Sequence, residues 1–255
     1  CIAAGGYAQA GKFAWLEQSG HTITPPAPSL FTFNMPGNPV TGLMGVAATA
    51  QVKVAGTRLQ ELGPVLITHW GMSGPAILRL SAWGARELQQ LQYTFTALIN
   101  WLPAYNENTL REDWQRLRFE LGKQQLHHKN PFGLPQRLWQ FLLQQLNIPA
   151  EMRWADLPAK DQNRLMKLLV GMEFPVKGKT TFKEEFVTCG GVTLSEINPA
   201  TMESRLAPQL YFAGEIMDVD GITGGFNFQH AWTSGFVAAA AIAGNSNLRD
   251  TYNLR

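Results

Sequence analysis

Thiols are nearly missing from this 255-residue chain. Cys1 and Cys189 are its two cysteines, too few for a disulfide framework and no basis for a cysteine-rich metal cluster. Charge is also thin, at 16% against the roughly 25% of an ordinary soluble domain. It nearly cancels as well: 21 basic residues face 19 acidic ones for a net charge of +2. With the basic residues scattered, electrostatics gives no reason to expect nucleic acid or an anionic membrane as partner. The longest apolar run near the C-terminus, Phe236 to Ala243, falls well short of the roughly 20 residues of a membrane span. These shortages point to a soluble, cytoplasmic protein acting on a small molecule, with its oligomeric state left open. An initial Met and a basic leader are missing too. The opening Cys1-Ile2-Ala3-Ala4-Gly5-Gly6 reads instead as a buried strand running into a glycine turn, so the chain is expected to be a fragment of a longer one.

Apolar residues, at 45%, are ample for a core, and eight Trp and 14 Phe are plentiful. After the opening strand, Gly11 to Ser19 has a helical pattern closed by Gly20. Residues 1–23 thus form a strand–turn–helix unit. From 24 to 104 the text becomes short β-prone runs between Gly and Pro: Leu30 to Phe33, Val46 to Val54, Val65 to Thr68 and Tyr93 to Ile99. An all-β domain is expected there. Between 105 and 175 the period turns helical. Thr109 to Glu112 reads as a capping box, followed by Leu110, Trp114, Leu117 and Leu121 on one face. Two more amphipathic helices follow Pro135 and Pro158, giving a small bundle. Residues 176–200, with a strand over Phe182 to Val192, return to the β domain. Residues 201–255 carry a strand at Leu210 to Ala213, a glycine loop and a helix of small residues from Asn227 to Ala243.

The chemistry concentrates in that last segment. A buried strand ends at Gly214, Glu215 follows at once, and Gly224-Gly225 opens a helix. Ligands of open α/β sheets bind at the carboxyl ends of strands. Gly224 and Gly225 let a flat ligand approach the backbone, while free N–H groups at Phe226 and Asn227 carry the positive end of the helix dipole. A reduced flavin, which gathers negative charge at one ring edge, suits such a helix start. Glu215 is placed to accept hydrogen bonds from a hydroxylated chain. The competing reading is an ordinary tight turn. Elsewhere, His69 in its glycine-rich loop is either an acid/base group or a hydrogen-bonder fixing the turn from Gly71 to Pro75. Cys189 is either a redox thiol or a buried, inert one. His127-His128-Lys129 reads as a solvated helix end. The run Gly6 to Lys12 matches G-x-x-x-x-G-K, yet Phe13 stands where a nucleotide-binding loop needs a hydroxyl for magnesium.

Four stretches carry a family resemblance. Ala213-Gly214-Glu215 with Asp218, continuing through Gly221-Ile222-Thr223-Gly224-Gly225-Phe226-Asn227-Phe228-Gln229, resembles the C-terminal flavin signature of a bacterial three-domain flavoprotein family. That family includes aminoacetone oxidase, YhiN-like proteins and BaiN-type reductases. Thr68-His69-Trp70-Gly71-Met72-Ser73-Gly74-Pro75, Thr188-Cys189-Gly190-Gly191-Val192 and Thr201-Met202-Glu203-Ser204 resemble its further motifs in order. The resemblance spans essentially the whole chain. It implies an α/β fold, part of a FAD-binding two-dinucleotide-type domain, interrupted by a β domain that carries a helical insertion. It also implies an oxidoreductase transferring hydride through FAD, reduced by NAD(P)H or by its own substrate. Gly5, Gly6, Gly214, Glu215, Asp218, Gly224, Gly225, Phe226 and Asn227 would contact the cofactor, Gly190 and Gly191 the opposite approach to the ring, and His69 the moving proton. The family's G-x-G-x-x-G turn is not spelled here, Ala4 stands where Thr is usual, and the loop after Gly6 is shorter. A second reading is therefore a non-catalytic flavoprotein module that binds a ligand or a partner chain.

Overall fold

Strict alternation of buried and exposed residues builds the longest strands, and an apolar stripe builds the helices over 107–120, 136–145 and 159–171. A computed structural model describes residues 1–7, 9–180 and 187–244. In chain order it contains β1 (Ile2–Ala3), α1 (Ala14–Gln18), β2 (Ile23–Ser29), β3 (Thr32–Asn34), β4 (Ala47–Val54), β5 (Gln60–Ile67) and β6 (Gly71–Ser73). Then come α2 (Pro75–Trp83), α3 (Ala85–Gln90), β7 (Thr94–Asn100), α4 (Glu107–Glu120), α5 (Gln136–Gln145), α6 (Ala159–Gly171), β8 (Met172–Lys177) and β9 (Lys179–Thr180). The chain continues with β10 (Val187–Val192), β11 (Ile197–Asn198), β12 (Glu203–Ser204), β13 (Phe212–Ala213) and α7 (Phe226–Ile242). It divides into two units, one of residues 1–30, 81–89 and the described part of 181–255, the other of residues 31–80 and 90–180. Among the described residues no helix is long and apolar enough to cross a membrane.

The second unit is a seven-stranded antiparallel sheet in the order β8-β7-β4-β5-β6-β3-β9, with α4, α5 and α6 inserted before β8. The sheet curls. Gly178, between the two edge strands, donates its N–H to Tyr93 O at 2.8 Å and accepts from Asn34 N at 3.3 Å. Val52, Val54, Val65, Ile67, Ala97, Ile99, Phe174 and Val176 fill the inner side. The inserted helices close over Trp114, Trp139 and Trp154, with Trp139 and Trp154 stacked at 6.3 Å and Trp139 Nε1 donating to Leu126 O at 2.7 Å. The cap of α4 differs from expectation. Asn106 is the N-cap, accepting from the N–H groups of Asn108 and Thr109, and Thr109 is the third helical residue, whose hydroxyl accepts from Asn106 N. Either residue type can cap; Asn106 does so because the helix begins two residues before Thr109.

The first unit is less regular. β1 and β13 are a parallel pair, β2 and β10 an antiparallel pair with a bulge between Cys189 and Gly191, and β11 and β12 a short antiparallel pair. Phe13, Leu16, Val192, Ile197, Phe212, Ile216 and Met217 form its core. Gly20 takes φ +92 after α1, as its place behind the helix requires. Three expectations need correction. The opening strand is only two residues long and Ala3 is exposed, so it is paired rather than buried. The range 24–104 is not β throughout. It holds α2 and α3, because Gly74-Pro75 starts a helix whose Ala76, Ile77 and Leu80 recur at helical spacing on a buried face. Of the strand expected over Phe182 to Val192, residues 187–192 form β10, which belongs to the first unit and not to a returning β domain; residues 182–186 lie outside the described residues.

Candidate functional site

A cavity of about 690 Å³ opens in the first unit where β1 and β13 end and α7 begins. Gly5, Gly214, Glu215, Gly224, Gly225 and Asn227 are among its lining residues, so the structure brings together six of the eleven cofactor-side and substrate-side positions expected from sequence. The glycines differ in why they are needed. Gly214 takes φ +82, and a Cβ there would stand 2.9 Å from Ala4 O, so it lets β13 turn tightly against β1. Gly225, at φ +86, is the N-cap of α7, and no atom lies within 4 Å of where its Cβ would stand. That second glycine leaves open space beside the cavity.

No side chain caps α7. Its first backbone acceptor is Gly225 O, bonded by Gln229 N at 2.9 Å, which leaves the N–H groups of the first turn with no partner inside the helix. The aligned peptide dipoles of this 17-residue helix add positive potential at the same end. Asn227 has a second task besides its main-chain N–H. Its side chain accepts from Gly221 N at 2.7 Å and donates to Gly221 O at 2.9 Å, tying the glycine loop to the helix and leaving only its main chain for a ligand.

Glu215 is half-buried, and its Oε2 accepts from Gly6 N at 3.4 Å. Burial pushes its carboxyl above the ordinary carboxylate value; the Gly6 and Thr188 backbone N–H groups pull it down, Asp220 pushes it up again and His230 lowers it. Gly6 itself is packed rather than open, since a Cβ there would meet the Thr188 side chain at 2.5 Å.

The remaining expected positions lie elsewhere. Asp218 pairs with Arg86 at 3.7 Å and does not line the cavity; Phe226 borders a different cleft. Gly190 and Gly191 are buried with φ +116 and +136, and Cβ atoms on them would come within 2.7 Å of Pro25 O and 2.5 Å of Ile216 O. Close backbone packing accounts for both. His69 belongs to the second unit, on an exposed turn held by Thr68, whose N–H donates to Gly71 O at 2.8 Å and whose Oγ1 accepts from Trp70 N at 3.3 Å. Thr68, not His69, fixes that turn. The Thr201-to-Ser204 motif also does architectural work. Ser204 Oγ accepts from the N–H groups of Leu206 and Ala207 at 3.0 Å each, so its proton goes to His21 Nε2 at 2.8 Å; His21 Nδ1 then donates to Ser19 Oγ at 2.9 Å.

Sequence reasoning passed over Asp220. It lines a second cleft of about 510 Å³ together with Cys189, Arg86, Trp83 and Phe226. Burial raises its carboxyl above the ordinary value. The signal was weak, because these groups come from the end of α2, from α3, from β10, from the loop before α7 and from the first residue of α7. Cys189 proves buried, its thiol pushed up to about 11 by burial and by Asp220. Among the described residues no group of His, Cys, Asp and Glu is arranged to hold a metal ion.

The model of the family described as HI0933-like protein barrel and H2TH domain matches residues 27–187. Over 228 residues, 88% of the chain, the sequence is 34% identical to the ribosomal RNA dihydrouridine synthase of Escherichia coli (strain K12), and it is 31% identical over 89% of the chain to that of Haemophilus influenzae. A 3-dehydro-bile acid delta(4,6)-reductase of Clostridium scindens is 28% identical over 91% of the chain. The matches cover 54%, 54% and 57% of these relatives, so the chain spans about half the length of the curated relatives it resembles.

Proposed function

Because the chain belongs to the HI0933-like family, we propose that its first unit is the C-terminal share of a FAD-binding two-dinucleotide-type domain and that the protein is a FAD-dependent oxidoreductase. In this reading it reduces a double bond conjugated to a carbonyl, with NAD(P)H as the source of electrons. The observation that carries the reading is the glycine-walled cavity at the uncapped start of α7. One relative is named a delta(4,6)-reductase of a 3-dehydro-bile acid and two are named dihydrouridine synthases; the first name supports the reaction class directly, and the others do so because dihydrouridine is the reduced form of uridine.

The residues fit the ring end of a flavin. The vacant space at the Gly225 Cβ position and the backbone-lined wall at Gly224 suit a flat ring, and first-turn N–H groups suit an edge that becomes negative on reduction. When bound, the flavin supplies the hydride chemistry. The chain's own contribution is placement and field. The N–H groups at the start of α7 would hold the ring edge, the Gly221–Asn227 bonds keep the glycine loop in place, and Glu215, which holds the turn after β1, would accept from the hydroxylated chain.

The test is the visible absorption spectrum of the purified chain after adding FAD and removing the excess. Retained flavin bands are expected. A colourless chain that is folded by circular dichroism overturns the assignment of the cofactor to these residues.

A further inference from the structure

Among the described residues, His230 Nε2 is the one buried imidazole nitrogen with no hydrogen-bond partner. The other inward-facing rings are tied. His21 bonds Ser204 through Nε2 and Ser19 through Nδ1, and His127 Nε2 bonds Ile148 O at 3.0 Å. Those rings join segments of chain. A ring nitrogen kept inside without such a bond costs free energy, so His230 needs another reason to be there.

Helix α7 sets where that ring stands. Asn227, His230 and Ser234 recur at helical spacing and share one face. Both flanking side chains hold the glycine loop before the helix: Asn227 is bonded to Gly221, and Ser234 Oγ accepts from Gly214 N at 3.0 Å. His230 therefore stands over residues 214–221, which carry Glu215, Asp218 and Asp220. Three carboxyl groups in so short a loop repel one another. Arg86 pairs with Asp218 at 3.7 Å and also stabilises the charge of Asp220, to which Cys189 is bonded. Glu215 is served differently. Burial and Asp220 push it toward its protonated form, the Gly6 and Thr188 backbone N–H groups resist, and among the described residues His230 is the one side chain that does so.

We propose that His230 is a positioning residue of the glycine-walled cavity, its imidazolium balancing the Glu215 and Asp220 carboxylates and so keeping Glu215 an ionised acceptor for the hydroxylated chain of the cofactor. The inference rests on the flavin reading of that cavity. It gives the ring a task that needs charge and no hydrogen bond. An ionised carboxylate only accepts, and on both oxygens; once protonated it gives up part of that capacity. With His230 charged, Glu215 keeps its ionised form to lower pH than it would beside Asp220 alone.

The test follows the Glu215 carboxyl carbon by NMR in the ligand-free whole chain, its resonance identified by its loss in Glu215→Gln. In His230→Gln the Glu215 titration midpoint is expected to move to higher pH, with protonation about threefold easier. His230→Lys, which restores a cation, should move it back. In the unsubstituted chain the same resonance should show a second, smaller inflection that coincides with the titration of a histidine ring, so the test stands even if both variants misfold. A midpoint that stays put in folded His230→Gln, or a Glu215 curve without the second inflection, overturns the proposal. FAD retention is then recorded against pH. Its acid limb should move to higher pH in His230→Gln, whereas a purely structural defect lowers retention at every pH alike. Retained FAD with no movement of the Glu215 titration sinks the role of His230 alone, and movement in a chain that retains no FAD sinks the flavin assignment alone.

Discussion

In the second unit β4 and β5 pair in unbroken register from Ala47 with Leu66 to Lys53 with Gln60, whereas in the first unit β1 and β13 pair only through Ile2 with Phe212 and Ala3 with Ala213. The contrast extends to side chains. The second unit buries Trp101, Trp114, Trp139 and Trp154, while the first leaves Phe226, Phe228 and Trp232 exposed along α7. Regular pairing and a filled core produce a scaffold. Glycine-shaped turns, a helix without a cap and half-buried carboxyls produce places for a ligand, and each of those features carries a cost to folding. The division predicts that stability and cofactor binding respond to different residues.

The largest effect should come from Trp139→Ala. The side chain is fully buried, stacks on Trp154 and donates to Leu126 O. Losing it creates a cavity and orphans a carbonyl, at a cost of about 3–5 kcal/mol. Urea unfolding should show that loss, with FAD retention unchanged in the fraction that remains folded. A proportional loss of FAD affinity in that fraction would break the separation between the units.

Gly225→Ala tests the opposite arm. At φ +86 a Cβ costs about 1–2 kcal/mol, well below the tryptophan substitution. The methyl would also enter the open space beside the cavity. FAD retention should fall by more than the stability loss accounts for, read as flavin absorbance against the folded fraction. Loss of stability alone would reduce Gly225 to an ordinary helix start.

Much of this division was legible in the residues, and the reasons for the exceptions are specific. Alternation in Ala47 to Val54 and the stripes at Leu110, Trp114 and Leu117 announce their elements, because each buries one face against one core. The Gly224-Gly225 start of α7 was readable for the same local reason. Helices α2 and α3 were hidden by glycines and prolines that mark turns in general and here begin a helix. The motif glycines were harder to assign. A spelled Gly-Gly says that a side chain is unwelcome without saying what approaches: at Gly190 it is Pro25 O, at Gly71 it is Phe33 O at 2.2 Å from the would-be Cβ, and at Gly225 nothing of the protein. Only the last of these leaves room for a ligand. Asp220 needed three-dimensional placement, since its burial and its neighbours Cys189 and Arg86 are set by segments distant in sequence.

The smallest effect sharpens the comparison through pH. Cys189 lies in the first unit, where Asp220 and burial hold its thiol up at about 11 against an ordinary 9.0; Asp218 pushes the same way and Arg86 opposes it. In the unfolded chain the thiol loses its proton around the ordinary value, while the folded chain retains it until about 11. Between those values the unfolded state binds fewer protons, so stability falls as pH rises through the window. Cys189→Ala removes that contribution. Its melting temperature should therefore decline less steeply than the unsubstituted chain's from pH 9.0 to about 11, by a few degrees over the interval, whatever the constant offset from lost packing. The slope carries the argument because a packing defect shifts every pH alike. Parallel curves would mean that the Cys189 thiol ionises at the same pH in both states, and that the Asp220 cleft is wetter than its burial indicates.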